Sequence, residues 1–215
     1  MPRDIRQHPT DNNKLQIEKK VNFWYDFDKN VPDLVTLHKK YNKPVAVLGS
    51  GPSLLSDLEK IPENCIKISC NHHAFEVLEP DFMVFLDPIE NNHSDRYRFR
   101  VNNPGKAKRI SYSNLDYTDY YCINEATIYH KLSDTGIFGA WIGCYITTGK
   151  VYLCGMDLRL KGDTLHFYDN PDFQNSVYWG GPTLDVKLDR WSKLEPFKDQ
   201  LIALSGPLTT IFNEA

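Results

Sequence analysis

A glycine-rich turn between an apolar run and the start of a helical pattern is the strongest chemical feature of the sequence. Glycine permits close backbone approach to a ligand, and a helix N-terminus behind it favours phosphate. The turn is neither a dinucleotide fingerprint, because position 54 is Leu54, nor a P-loop, because no GK[ST] follows. It predicts a phosphate-binding site, with an ordinary strand-to-helix turn as the structural alternative. Its residues are Gly49, Ser50, Gly51, Pro52 and Ser53.

Polar residues also follow other apolar runs that read as strands. Asn71 follows the second run, Asp87 the third, and Gly155 and Asp157 the late one. The carboxyl ends of parallel strands form the ligand crevice of an open α/β sheet. Asn71 suits a base or ribose, and either aspartate suits Mg²⁺ or a hydroxyl group; for each aspartate a turn or cap role is the structural alternative.

A histidine in the aromatic segment after Asp157 is suited to proton transfer. His166 lies nine residues beyond Asp157 and three before Asp169, so either carboxylate could orient its ring. The alternative is a histidine that packs or caps. His72 and His73, at the end of the second strand, are the second choice for a general base.

The elements that must position these residues alternate between strand and helix patterns, which predicts an α/β fold with a mostly parallel sheet. Residues 1–42 read as an N-terminal extension with one helix, from the apolar spacing 31/34/35/38, and residues 43–215 as a single domain. Residues 158–183 read as an irregular aromatic lid. Strands are predicted at 44–49, 66–70, 82–86, 108–112, 126–129 and 151–154, a buried helix at 138–147, and an amphipathic helix at 184–204.

Composition excludes several classes of protein. The chain has 215 residues, 41% of them hydrophobic and 25% charged, which is globular rather than disordered. The net charge of −3 argues against a general nucleic-acid coat but not against an enzyme that acts on nucleic acid. No apolar run could span a membrane or act as a secretory signal, and the five cysteines form no CxxC pair. We therefore expect a cytoplasmic protein with buried free thiols.

The turn at 49–54, the Cys70-Asn71 pair and the Gly155-Met156-Asp157 segment with His166 downstream resemble a set of Rossmann-like transferases. The set includes bacterial lipooligosaccharide sialyltransferases, motility accessory factor proteins, 6-hydroxymethylpterin pyrophosphokinase-like proteins and small phage proteins. The phage proteins are the most similar, and the resemblance covers roughly residues 44–212.

The resemblance to the sialyltransferases implies that residues 49–53 and Asn71 hold a CMP-linked donor and that His166 is the base. The chain departs from these enzymes at Asp87-Pro88, where they tend to carry asparagine-proline, and it lacks their longer C-terminal part. In carrying an acidic residue at this position, the chain resembles the pyrophosphokinase-like proteins. This resemblance implies a metal-bound triphosphate at Asp87.

Together these features predict a nucleotide-dependent transferase, in first place a glycosyltransferase. A CMP- or UDP-type sugar donor would react with a hydroxyl group of a glycan or of a modified nucleic acid, with His166 and Asp157 as catalytic residues. The alternatives are a pyrophosphokinase using ATP and Mg²⁺, and a non-catalytic nucleotide-binding module. Mg²⁺ in the transferase and homo-oligomerisation stay open. The predicted donor-binding residues are Gly49, Ser50, Gly51, Pro52, Ser53, Asn71, Asp87 and Gly155, with Asp87 also the metal ligand.

Overall fold

The computed structural model describes residues 34–91, 94–111, 115–121, 134–158, 166–168 and 182–213. Within these ranges seven strands form one sheet, and every neighbouring pair is parallel. This confirms the predicted Rossmann-like α/β fold. The strands are β1 (Val45–Leu48), β2 (Ile66–Cys70), β3 (Phe82–Phe85), β4 (Lys108–Ser111), β5 (Tyr120–Tyr121), β6 (Val151–Cys154) and β7 (Leu201–Ala203).

The order of the strands reverses once, between β1 and β6. Across the sheet the order is β5-β4-β3-β2-β1-β6-β7, so the chain builds outward from β1 and then returns to its other side. Val45 pairs with Ile66 of β2 on one side and with Val151 of β6 on the other. A crevice is expected at the carboxyl ends of the strands beside such a switch point.

Both faces of the central strands are buried, which explains why β1, β3 and β6 read as continuous apolar runs. Along β1, Val45 and Val47 face one hydrophobic cluster, and Ala46 and Leu48 face another. The described helices are α1 (Leu54–Leu58), α2 (Asp95–Asn102), α3 (Thr135–Ile146), α4 (Leu184–Ser192) and α5 (Thr209–Phe212). Short 3₁₀ turns cover Leu34–Leu37, His73–Glu76, Ile89–Asn91 and Glu195–Phe197.

Helix α3 is the central helix on one face of the sheet, and it confirms the predicted buried helix. Its glycines permit close packing, because a Cβ at Gly139 would lie 2.7 Å from Cys70 Sγ. Asp134 caps its N-terminus, where Oδ1 accepts a hydrogen bond from Gly136 N at 2.8 Å. The N-terminal end of α3 thereby faces the carboxyl edge of the sheet near β2.

The predicted single helix over 184–204 is wrong. Helix α4 ends at Ser192, and Pro196 follows in a 3₁₀ turn. Leu201 and Ala203 are buried on either side of half-buried Ile202, a period of two that belongs to strand β7. The apolar residues after the proline fit the period of a helix as well as that of a strand. They form a strand because they pair with β6 at the edge of the sheet.

The remaining predictions can be compared with the structure only within the described residues. Most of the proposed extension, the strand at 126–129 and most of the aromatic lid lie outside the described residues. Leu34 and Leu37 are buried in a 3₁₀ turn. Four cysteines are free and buried as expected, and Cys122 lies outside the described residues. None of the described helices combines the length and apolar character needed to cross a membrane.

Candidate functional site

A cavity of about 320 Å³ opens at the carboxyl edge of the sheet, beside the switch point. Gly49 and Ser50 after β1, Asn71 and His73 after β2, and residues 155–158 after β6 line it. The first turn of α3 and one face of α4 complete its wall. We call it the switch-point cavity; its volume is within the range of small-molecule sites.

The glycine-rich turn after β1 is bonded to the turn after β6. Gly51 N donates to Gly155 O at 2.9 Å, and Pro52 has no N–H to offer. Ser53 donates to Asp157 Oδ2 from both its backbone nitrogen, at 3.2 Å, and its hydroxyl group, at 3.0 Å. The amides of residues 51 and 53 that the sequence assigns to phosphate are thus already occupied by the chain.

The glycines of this turn have a packing reason. A Cβ at Gly49 would clash with the carbonyl oxygen of Gly155, and a Cβ at Gly51 would clash with the Asp157 carboxylate. Gly155 itself has φ +63°, a conformation that favours glycine. Close contact between two turns therefore accounts for all three glycines without a ligand.

A buried carboxylate fastens the two turns together. Asp57 on α1 is fully buried, and its Oδ2 accepts hydrogen bonds from Gly155 N at 3.0 Å and from Ser205 Oγ at 2.6 Å. Lys60 Nζ lies 3.0 Å from the other oxygen and balances the charge. The hydroxyl of Ser53 is 3.0 Å from Asp57 Oδ2, so it sits between the carboxylates of Asp57 and Asp157.

The turn after β2 leaves polar atoms without partners. Asn71 adopts φ +59°, and its backbone is fixed by bonds from its N–H to Val84 O at 2.8 Å and from Ser69 Oγ to its carbonyl at 2.7 Å. Its side chain lines the cavity, and Oδ1 is buried with no hydrogen-bond partner in the described chain. Buried polar atoms are normally paired, so this oxygen is available to a ligand.

Three imidazole rings form a stack beside the cavity. The ring of His73 lies 4.1 Å from that of His72 and 4.4 Å from that of His166, measured between centroids. His73 Nδ1 is 2.8 Å from the hydroxyl of Tyr168, whose ring lies under the guanidinium of Arg96 at 5.5 Å. Phe167 N donates to Ser50 O at 2.9 Å and holds residues 166–168 against the turn after β1.

His72 is the buried member of the stack. It is 7% exposed, and its Nδ1 has no partner in the described chain. Burial lowers the pKa of His72 to about 4, with Arg96 and Arg100 acting in the same direction and Glu76 opposing them. His72 is therefore neutral at physiological pH, and His73 is the member of the stack that lines the cavity.

Helix α4 brings positive charge to the cavity. Lys187 and Arg190 are three residues apart, so they share one face of the helix, and both line the cavity beside Trp191. The guanidinium of Arg190 makes no hydrogen bond or ion pair within the described residues. Sequence reasoning missed both cations, although their spacing next to the apolar stripe of a predicted helix could have indicated them.

The predicted site residues are only partly brought together. Gly49, Ser50, Asn71, Gly155 and Asp157 line the switch-point cavity, whereas Gly51, Pro52 and Ser53 lie behind it. His166 contacts His73 but is not in the cavity wall. Asp87 is exposed and outside the wall, and its carbonyl accepts a hydrogen bond from the Tyr97 hydroxyl.

The metal role of Asp87 stays a prediction. Within the described residues no group of three or more histidine, cysteine, aspartate or glutamate side chains could hold a metal ion. Asp157, the second predicted acidic ligand, directs Oδ2 to Ser53. Asp169, the alternative partner for His166, lies outside the described residues.

Fold and site together define a Rossmann-like α/β protein with a polar cavity at its switch point. No family model matches this chain, and no curated protein or solved structure matches it either. The function therefore has to be argued from the cavity itself.

Proposed function

We propose that this chain is a nucleotide-dependent transferase, in first place a glycosyltransferase, whose donor binds in the switch-point cavity. The observation that carries the proposal is the unpartnered Oδ1 of Asn71, buried in the wall of this cavity. The location supports it too, because switch points are where open α/β sheets bind nucleotides.

The charges of the cavity favour an anionic ligand. Lys187 and Arg190 face it from α4, and the N-terminal end of α3 adds the positive end of a helix dipole. The two acidic residues in the wall are engaged by the protein: Asp157 accepts from Ser53 and Asp134 from Gly136. In the proposal, Arg190 and Lys187 bind the donor phosphates and stabilise the charge of the departing nucleotide.

Asn71 would recognise the nucleoside. Its amide oxygen accepts a hydrogen bond from a ribose hydroxyl or from an amino group of the base. The backbone bonds to Val84 and from Ser69 hold the residue in place before the ligand arrives, so little conformational entropy is lost on binding. The phosphate-binding role of residues 51–53 has less support, because the amides of Gly51 and Ser53 are occupied.

The base that the geometry supports best is His73 rather than His166. His73 lines the cavity, and when its Nδ1–H donates to the Tyr168 hydroxyl at 2.8 Å, Nε2 is the atom that accepts a proton. It would take the proton of the acceptor hydroxyl as that oxygen forms its bond to the sugar and the bond from sugar to nucleotide phosphate breaks. His166 would then orient His73 through ring contact.

Calorimetry with CMP, UDP and ATP, each with and without Mg²⁺, tests the donor site. We expect Arg190→Gln to weaken binding of the preferred nucleotide about tenfold or more, because it removes a charged hydrogen-bond donor. Lys193→Gln removes the same charge from the end of the same helix, outside the cavity wall, and should bind within about twofold of wild type. Equal affinities of wild type and Arg190→Gln would contradict the assignment, and a preference for ATP with Mg²⁺ would favour a pyrophosphokinase.

Turnover separates the two histidines. His73→Gln should lower turnover by roughly 10²–10⁴-fold while nucleotide affinity changes little, and it should remove the ascending limb of the pH–rate profile. His166→Gln should retain that limb. If His166→Gln loses the limb and His73→Gln keeps it, the order of roles is reversed; binding with no turnover of any donor would indicate a non-catalytic module.

A further inference from the structure

A second groove of about 440 Å³ lies at the amino edge of the sheet, the edge opposite the switch-point cavity. It runs beneath the starts of β1, β2, β3 and β4, because parallel strands all begin at the same edge. Four lysines line it: Lys43 precedes β1, Lys67 lies in β2, and Lys106 and Lys108 lie at the start of β4. We call it the amino-edge groove.

Positive charge exceeds negative charge in this groove. Two acidic residues line it, and both are engaged by the chain: Asp81 Oδ2 accepts from Lys67 N at 2.9 Å, and Glu79 Oε1 accepts from Lys106 N at 3.3 Å. Lys106 Nζ lies 4.0 Å from Asp81 Oδ1. The side-chain ammonium groups of Lys43 and Lys108 make no hydrogen bond or ion pair within the described residues, although the charge of Lys108 helps to lower the pKa of Asp119. In a chain whose net charge is −3, this excess is local.

The backbone at this edge is already paired. Ile66 N donates to Pro44 O, and Lys108 N donates to Asp81 O, both at 2.9 Å. A ligand would therefore meet mainly side chains, and lysine side chains present flexible point charges. Such groups suit phosphate groups in a row better than one small molecule held in a fixed orientation.

The spread of the lysines sets the size of the ligand. Neighbouring strands are about 4.8 Å apart, so β1 and β4, three spacings apart in the order β4-β3-β2-β1, are separated by about 14 Å. Successive phosphates of a strand can each face a lysine at this spacing, without the two flexible side chains having to converge on one phosphate. Half-buried Tyr41 lines the same groove and provides aromatic surface for a base, and it packs edge-on against the buried ring of Phe82.

We propose that the amino-edge groove binds the phosphodiester backbone of a single-stranded nucleic acid. The proposal is independent of the donor assignment, because the two sites lie at opposite edges of the sheet and share no residue.

The test uses fluorescence anisotropy of a labelled 12-nucleotide single strand between 50 and 200 mM salt. We expect the double variant Lys43→Gln/Lys108→Gln to bind about tenfold more weakly at low salt, and the slope of log K against log[salt] to fall by about 1.4, or 0.7 for each lost phosphate contact. Lys193→Gln/Lys198→Gln removes the same two charges outside the groove and should match wild type.

Each other outcome overturns the proposal. No binding by the wild-type chain, or equal losses in the two double variants, would show that the groove does not bind the strand. Competition by inorganic phosphate as effective as that of unlabelled strand would reduce the groove to a single-phosphate site, and equal competition by polyglutamate would show a generic response to negative charge. Circular dichroism and the melting temperature, unchanged in both variants, confirm that folding is not the cause.

Discussion

The turns that follow the adjacent strands β1 and β2 at the carboxyl edge of the sheet differ in whether their polar groups are hydrogen-bonded. After β1, Gly51 and Ser53 give their N–H groups to Gly155 and Asp157. After β2, Asn71 and His72 each bury a side-chain atom that has no partner in the described chain. The first turn is built for contact with the rest of the protein, and the second leaves hydrogen-bonding capacity unused.

This difference indicates that the turn after β2, rather than the glycine-rich turn after β1, is the one to assign to a ligand. Glycines permit close backbone approach, but the approaching group can be another segment of the same chain, as Gly155 is for Gly49. Unpartnered buried atoms are costly, and a fold that retains them beside a cavity indicates a missing partner. The assignment to the second turn thus rests on a deficit of bonds rather than on residue types.

The largest expected effect is in the first turn. Gly49→Ala should lower the free energy of unfolding by about 3 kcal/mol or more, because its Cβ would clash with the Gly155 carbonyl and lie 2.9 Å from Met156 Sδ. Urea unfolding followed by circular dichroism measures this.

A glycine outside the contact between the turns provides the control for Gly49→Ala. At Gly105, φ is +61° and a Cβ meets first the flexible side chain of Glu79, so Gly105→Ala should cost only about 1–2 kcal/mol. Equal losses in the two variants would show that the first turn has no special packing.

Sequence patterns predicted the central sheet well. Strands β1, β3 and β6 are apolar runs followed by turn residues, because both of their faces pack against the rest of the protein; β2 follows the same pattern except at Lys67 and Ser69. Strand β7 was missed because Leu201–Ala203 is short and follows a helix whose apolar spacing it continues. Pro196 was the available indication that the helix ends earlier.

The candidate site was harder to predict for a different physical reason. The edge of the sheet could be located from Asn71 and Asp157, since strand ends share an edge, but bonding between turns is a long-range property. Ser53 and Asp157 are 104 residues apart, and nothing in either local sequence indicates the contact. The placement of Arg190 in the cavity depends likewise on how α4 packs.

A smaller effect on the free energy of unfolding is expected at His72 in the second turn, where it depends on pH. Burial lowers the pKa of His72 to about 4, whereas an unfolded histidine has a value near 6.5. Between these values the unfolded chain binds a proton that the folded chain excludes, so acidification from pH 7 to pH 5 destabilises the fold. In His72→Phe, which keeps a ring against His73 and Tyr97, this loss should shrink by on the order of 1 kcal/mol.

Urea unfolding of both proteins at pH 7 and pH 5 measures the difference. Other groups, such as Asp119 with its lowered pKa, contribute equally to wild type and variant, so the comparison isolates His72. Equal losses on acidification would mean that His72 accepts its proton in the folded chain as readily as in the unfolded chain.

The smallest change in stability is expected at Asn71, where the comparison between the turns is sharpest. Asn71 occupies φ +59°, which glycine adopts without steric cost, and Asn71→Gly also removes the buried unpartnered oxygen. We expect the free energy of unfolding to rise by about 0.5–1 kcal/mol, while nucleotide affinity falls about tenfold with the lost amide. Asn71→Ala lacks the amide but keeps the strained backbone, so it should bind as weakly and be less stable than the glycine variant. Thermal unfolding and calorimetry on the three proteins separate the two contributions. A loss of more than about 2 kcal/mol in Asn71→Gly would show that the amide supports the fold, as Asp57 does behind the first turn, and the second turn would then be structural as well.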